Sequence, residues 1–188
     1  MEKCKGNLPS IWVKRWSSLL KPHSRVLDLA CGRGRNSLFL ADLGHNVLSV
    51  DHDPVKLSAI PERPEITILC ENLESGSWLF EGNKFDGIVV TNYLHRPILL
   101  HLVEALDSEG VFIYETFAQG NHVFGRPSNP DYLLSPHELV DILRGKLHIV
   151  GFEQGRVDSP NKAIIQRVCA TSSPHRMNQS LCLDEFRH

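Results

Sequence analysis

Apolar residues recur along this chain with two periods, and the alternation between the two sets the expected architecture. Over residues 9–20, Ile11, Trp12, Trp16, Leu19 and Leu20 fall at helical spacing behind Ser10, a good N-cap, so an amphipathic leading helix is expected. Residues 25–30 form a short apolar run that ends at Cys-Gly-Arg-Gly. Beyond that turn Ser37, Leu38, Leu40, Ala41 and Leu43 resume with helical period until Gly44. A second strand over 46–50 is closed by Asp51, His52, Asp53 and Pro54, and Pro54 at a first helical position predicts a short helix to Ile60. Strands are expected at 65–70 and 85–90, with an irregular stretch at 71–84 between them. Pro97 opens a helix whose apolar face is Leu99, Leu102, Val103 and Leu106, and a strand follows at 111–114. After a long loop, 117–134, the sequence Ser-Pro-His-Glu from Ser135 to Glu138 has capping-box spacing for a helix to Leu143. Strands at 147–153 and 163–170 complete the pattern.

Alternating strands and helices imply an α/β fold: a Rossmann-like, doubly wound, seven-stranded, mostly parallel sheet with a C-terminal antiparallel hairpin. The length of 188 residues suits one domain, taken as 1–170, with the polar, aperiodic residues 171–188 as a flexible tail.

Charge and cysteine content narrow the partners. Lys plus Arg number 20 against 22 Asp plus Glu, a net charge of −2 with no basic run, which disfavours nucleic acid as a partner. The five cysteines are dispersed, with no C-x-x-C pair and no histidine at zinc-ligand spacing, so no metal site is expected and the thiols read as reduced. No apolar stretch approaches the roughly 20 residues of a membrane span, and the first residues lack an apolar signal core. A cytoplasmic protein without a membrane partner is the expectation, its oligomeric state open.

The segment Val-Leu-Asp-Leu-Ala-Cys-Gly-Arg-Gly, from Val26 to Gly34, puts two glycines where a strand turns into a helix. In a doubly wound sheet, that edge at the point where strand order reverses is where a nucleotide-like ligand sits. Asp51, at the end of the next strand, can accept hydrogen bonds from both hydroxyls of a ribose, a spacing shared by dinucleotide enzymes and methyltransferases. Two details separate these classes. A dinucleotide fingerprint carries a third glycine where this chain has Ser37, and Asp28 adds an acid that would repel pyrophosphate but suits an amino group and a sulfonium. The plain alternative is a tight turn with Asp28 and Asp51 as helix caps.

The stretch VLDLACGRGRNSLFLADLGHNVLSVDHDP resembles the first two cofactor motifs of class I S-adenosylmethionine-dependent methyltransferases, nearest to the small tellurite-resistance-type bacterial members. FDGIVVTNYLHRP and GVFIYETFAQGN are similar to their fourth and fifth strand regions, so the resemblance extends over residues 8–170. It implies S-adenosylmethionine as cofactor: Asp28, Ala30, Gly32 and Gly34 around the methionine part, Asp51 on the ribose, and His52 flanking the adenine. Asn72 and Leu73 would lie beside the adenine, where relatives often carry Asp, and Thr91, Asn92 and Tyr93 near the methyl group.

For the acceptor, the loop 117–134 follows the end of a strand and brings Phe117, Phe124 and Tyr132 for apolar contact and Arg126 for an anion. It would be either a mobile lid or a rigid connection. Tyr93, His95 and Arg96 follow the fourth strand, with His95 and Tyr93 as acid–base candidates and Arg96 as a substrate contact; His95 serves equally as a structural hydrogen-bonding residue. Cys31 reads as a buried filler. The reaction expected is in-line transfer of the sulfonium methyl to a small molecule. Two other classes stay open: a non-catalytic binding protein on the same fold, and an NAD-dependent oxidoreductase.

Overall fold

The structure, a computed structural model, describes residues 8–175; the part of the expected tail from 176 on lies outside the described residues. Seven strands form one sheet: β1 (Arg25–Leu29), β2 (Asn46–Asp51), β3 (Ile66–Cys70), β4 (Phe85–Thr91), β5 (Leu106–Phe117), β6 (His148–Val157) and β7 (Ala163–Thr171). Their order is β3-β2-β1-β4-β5-β7-β6. The first five are parallel, and β7 runs antiparallel to both β5 and β6, as the hairpin pattern predicts. From β1 the chain winds outward through β2 and β3, then returns to place β4 on the other side of β1. Strand order therefore reverses between β1 and β4, which leaves a crevice at their carboxyl ends.

Strand periodicity sorts the core into two layers. Leu27, Leu29, Ile88, Val90, Phe112, Tyr114, Val168 and Ala170 pack on one face against α4 (Leu99–Glu104) and α5 (Glu138–Leu143). Val26, Val89, Val111, Ile113 and Cys169 take the other face, under α1 (Ile11–Trp16) and α2 (Arg35–Asp42). The alternation is what a pleated sheet covered on both faces requires. A four-residue helix, α3 (Pro54–Leu57), packs Leu57 beside Ile60 and Cys31.

Local chemistry sets each boundary. Ser10 caps α1 by accepting from the backbone N–H groups of Trp12 and Val13, and the helix then tightens into a 3-10 turn at Ser17–Leu19. Trp12 and Trp16, one turn apart, meet edge to face at 5.3 Å, and a side chain at Gly151 would collide with the Trp16 ring. The glycine thus lets α1 lie close on the sheet.

Three expectations change. The fifth strand runs well past 111–114 at both ends, because Leu106 pairs with Phe85 and Phe117 with Ile165. The helix predicted from Ser135 starts at Glu138. Glu138 does reach back to the Ser135 N–H at 2.7 Å, but the Ser135 hydroxyl turns to the Gln119 amide, so only half of the capping box forms. The stretch 117–134 is not structureless either. A bridge between Ala118 and Leu134 closes its base, and it contains 3-10 turns at Asn121–Val123 and Pro130–Tyr132. Buried Asn121 ties it further, donating to the Pro127 carbonyl and accepting from the Ile164 N–H.

Among the described residues, no helix is long and apolar enough to cross a membrane.

Candidate functional site

The crevice at the carboxyl ends of β1, β2 and β4 holds a cavity of about 400 Å³. Its floor is the turn between β1 and α2. There Ala30, Gly32 and Gly34 all adopt left-handed backbone, with φ of 54°, 58° and 72°, a conformation that costs a residue bearing a Cβ roughly 1–2 kcal/mol. The two glycines serve different ends. Gly32 lines the cavity and faces open space, whereas Gly34 does not line it: a Cβ there would lie 2.8 Å from the Ile60 side chain.

Asp51 closes the turn from the end of β2. It is 5% exposed; one carboxylate oxygen accepts from the Gly32 N–H at 2.8 Å and the other from the Asp53 N–H at 3.0 Å. A carboxylate has about four lone-pair sites, so both oxygens keep capacity toward the cavity they border. His52 and Leu73 line the same space, as do Thr91, Asn92 and Tyr93 after β4.

Asp28 lies below this surface rather than on it, 1% exposed at the inner end of the turn. Its Oδ2 accepts from the Ser37 hydroxyl at 2.5 Å, and Ser37 in turn accepts from Ser49. Ser37, which stands where a dinucleotide fingerprint has glycine, is thus occupied holding the acid. The Asp28 Oδ1 is buried without a hydrogen-bond partner. Burial pushes the carboxyl up to about 6, against the lowering effects of the Ser37 hydroxyl and the Arg35 charge. A buried carboxylate beneath the turn favours positive charge near it.

Several lining residues carry no sequence motif. Arg33 and Arg35 come from the turn and the start of α2, Lys56 from α3, and Glu71 and Glu74 from the stretch after β3. Of the pair expected beside the adenine, Leu73 lines the cavity, as does Glu71, whereas Asn72 spends its side-chain oxygen on the Glu74 N–H at 2.9 Å and does not line it. The turn that Asn72 builds fixes Glu74. Asn36, 2% exposed, donates to the Thr91 hydroxyl and accepts from the Ser10 N–H, and Arg35 donates to the Leu8 carbonyl. The leading segment is therefore fastened to the site.

A second cavity of about 220 Å³ adjoins the first. Glu74, Asn92 and Tyr93 line both, and Leu94, Thr116, Phe117, Pro127 and Tyr132 complete the second. The Tyr93 hydroxyl lies 3.4 Å from Glu74, and burial together with that charge holds the phenol protonated, well above its ordinary value.

Of the acceptor candidates from sequence, Tyr93, Phe117 and Tyr132 meet at this cavity, while His95, Arg96, Phe124 and Arg126 do not line it. Arg96 has other work. Its guanidinium grips both Glu138 oxygens, at 2.7 and 3.0 Å, and donates to the Asp131 and Leu133 carbonyls. Cys31 lines the first cavity but is buried, and desolvation raises its thiol far out of the reactive range.

Comparison with known proteins agrees with this geometry. Residues 26–108 match the model of a methyltransferase domain family. Over 59 residues the chain is 42% identical to the probable S-adenosyl-L-methionine-dependent methyltransferase TehB of Haemophilus influenzae; that segment is 31% of this chain and 19% of the relative. The crystal structure of TehB from Haemophilus influenzae superposes with a TM-score of 0.72 at 21% identity, covering 86% of this chain and 61% of that one. A TehB-like SAM-dependent methyltransferase from Corynebacterium glutamicum gives 0.62 at 18% identity, with 89% and 90% covered. At these identities the superpositions establish the fold alone: a Rossmann-like α/β sheet.

Proposed function

We propose that this chain, a TehB-like class I methyltransferase by its matched segment and its fold, transfers the sulfonium methyl of S-adenosylmethionine to a small-molecule acceptor. One observation carries the reading: the left-handed turn at Gly32 is hydrogen-bonded to Asp51 at the mouth of a cavity above buried Asp28. A ribose fits the free lone pairs of Asp51, and the close backbone at Gly32 suits the methionine part. The orphaned oxygen of Asp28 suits the positive charges of the amino group and sulfonium, where pyrophosphate would be repelled. His52, Leu73 and Glu71 border the space left for the adenine.

The bound cofactor supplies an activated methyl group. The protein's part is to align donor and acceptor and to keep water out, which needs little acid–base machinery. Asn92 and Tyr93, shared by the two cavities, stand at the junction where the methyl would pass. The modest second cavity supports a small acceptor over a macromolecular one.

The test is Asp51→Ala. Losing two hydrogen bonds to a charged group costs about 1.5–3 kcal/mol each at most, so affinity for S-adenosylmethionine should fall more than about tenfold while the far-UV circular dichroism spectrum is kept. Unchanged affinity would contradict the assignment.

A further inference from the structure

The second cavity has a chemical character of its own, and the following inference rests on the methyl-transfer reading above. We propose that the methyl acceptor is a small amine, seated between the Glu74 carboxylate and the rings of Tyr93, Phe117 and Tyr132.

Charge is the first argument. Among the residues that line this cavity, Glu74 is the one carboxylate and no lysine, arginine or histidine accompanies it. Tyr93 stays a neutral phenol, and Asn92 and Thr116 are polar without charge. Arg96, three residues past Tyr93, does not line the cavity, and its guanidinium is taken up by Glu138 and two loop carbonyls. Within this cavity an anionic acceptor meets the Glu74 charge with no cation among the lining residues, Arg33, Arg35 and Lys56 lining the adjoining one, whereas an ammonium is drawn in by the carboxylate and by aromatic rings, which attract cations.

Rigidity is the second. The Asn72 side chain pins the Glu74 backbone, and the Tyr93 hydroxyl stands 3.4 Å from the Glu74 carboxylate. The Tyr114 hydroxyl, buried below, donates to the Tyr93 carbonyl at 2.7 Å. Phe117 ends β5 beside the closed base of the loop that supplies Pro127 and Tyr132. The backbone of Glu74 and Tyr93 and the base of the loop are thus held before any ligand arrives, which lowers the ordering cost of binding.

The reaction supplies the third argument. The ammonium first yields a proton to solvent, and the neutral amine so formed attacks with its nitrogen lone pair, forming the N–C bond. The C–S bond breaks with its electron pair going to sulfur, which becomes a neutral thioether, and the positive charge passes to nitrogen. The methylated ammonium later yields one proton to solvent. Positive charge therefore moves toward Glu74 as the reaction proceeds, so the carboxylate attracts the transition state more strongly than the neutral amine. A thiolate acceptor undergoes the same change of charge, but the anion must first be brought up to Glu74 against repulsion, so its binding is disfavoured.

The experiment measures methyl transfer from labelled S-adenosylmethionine to phenethylamine, N-methylphenethylamine and pyrrolidine, with 3-mercaptopropionate as the anionic thiol, in the wild type and in Glu74→Gln. Cofactor affinity is followed in parallel by calorimetry. At least one amine is methylated, with a rate that rises as pH approaches the amine pKa. Glu74→Gln lowers kcat/KM for that amine by about tenfold or more at saturating cofactor, the cofactor Kd of each protein being measured because Glu74 borders both cavities. Cofactor binding without transfer to any of the amines overturns the proposal, as does equal turnover by Glu74→Gln or preferential methylation of 3-mercaptopropionate. Loss of cofactor binding in the wild type would instead overturn the methyl-transfer reading on which the proposal rests.

Discussion

Asp28 shows what a single residue contributes here. Its folded-state carboxyl titrates at about 6 against an ordinary 3.8, with desolvation as the leading cause. A raised acid pKa means that the folded state holds the proton more tightly than the unfolded chain. The stability tied to that proton is full below about 3.8 and lost as pH rises through 6. Wild type should therefore lose up to roughly 3 kcal/mol relative to Asp28→Asn between pH 4 and pH 8, as measured by urea denaturation of both proteins. A constant difference across that range would show that Asp28 is ionised throughout. The places of Asp28, Gly32 and Asp51 were legible in the sequence because they depend on a turn and on the end of the next strand, both local matters. Glu74 and Arg35 were not, because only the folded chain brings residues after β3 and from α2 to one cavity. Asn72 illustrates the difference. The motif position next to β3 pointed to it, yet its amide satisfies a turn, and its neighbours Glu71 and Leu73 take the exposed wall.

At the scale of elements, long runs with a clear period read well and junctions read less well. The helix at 35–42 and the strands from β1 to β4 follow directly from their apolar spacing. The extension of β5 does not, since Leu106, which the apolar spacing assigns to the preceding helix, pairs with Phe85 of β4, and the register shifts before Val111 meets Gly87. The loop 117–134 had two readings, a lid or a rigid connection, and the hydrogen bonds at its base favour the second. Arg96 is the clamp: beside it Glu138 keeps a lowered pKa, because the guanidinium and the Ser135 N–H outweigh the penalty of burial. Arg96→Met removes charge-assisted hydrogen bonds worth about 1.5–3 kcal/mol and leaves Glu138 without its cation. Limited proteolysis should then cut within residues 122–132 several-fold faster than in the wild type, with a measurable fall in Tm. Unaltered cleavage would mean that the loop is held by Asn121 and the Ala118–Leu134 bridge alone.

The molecule as a whole places its chemistry through topology. Reversal of strand order between β1 and β4 creates the crevice, two helical layers make the sheet rigid, and the carboxyl ends of β1, β2, β4 and β5 supply the residues around the two cavities. That much followed from the order of strand and helix signals, because parallel strands with helical crossovers have few ways to pack. The acceptor side could not be read in the same way: it is assembled from a turn, a strand end and a loop, each without a period. The central claim is that the crevice is an adenosyl-sulfonium site. It is tested most directly by calorimetric titration of the protein with S-adenosylmethionine, S-adenosylhomocysteine and NAD. Single-site binding of both adenosyl ligands in the micromolar range, with no heat from NAD, is the predicted result. Binding of NAD alone, or of none of the three, would contradict the account.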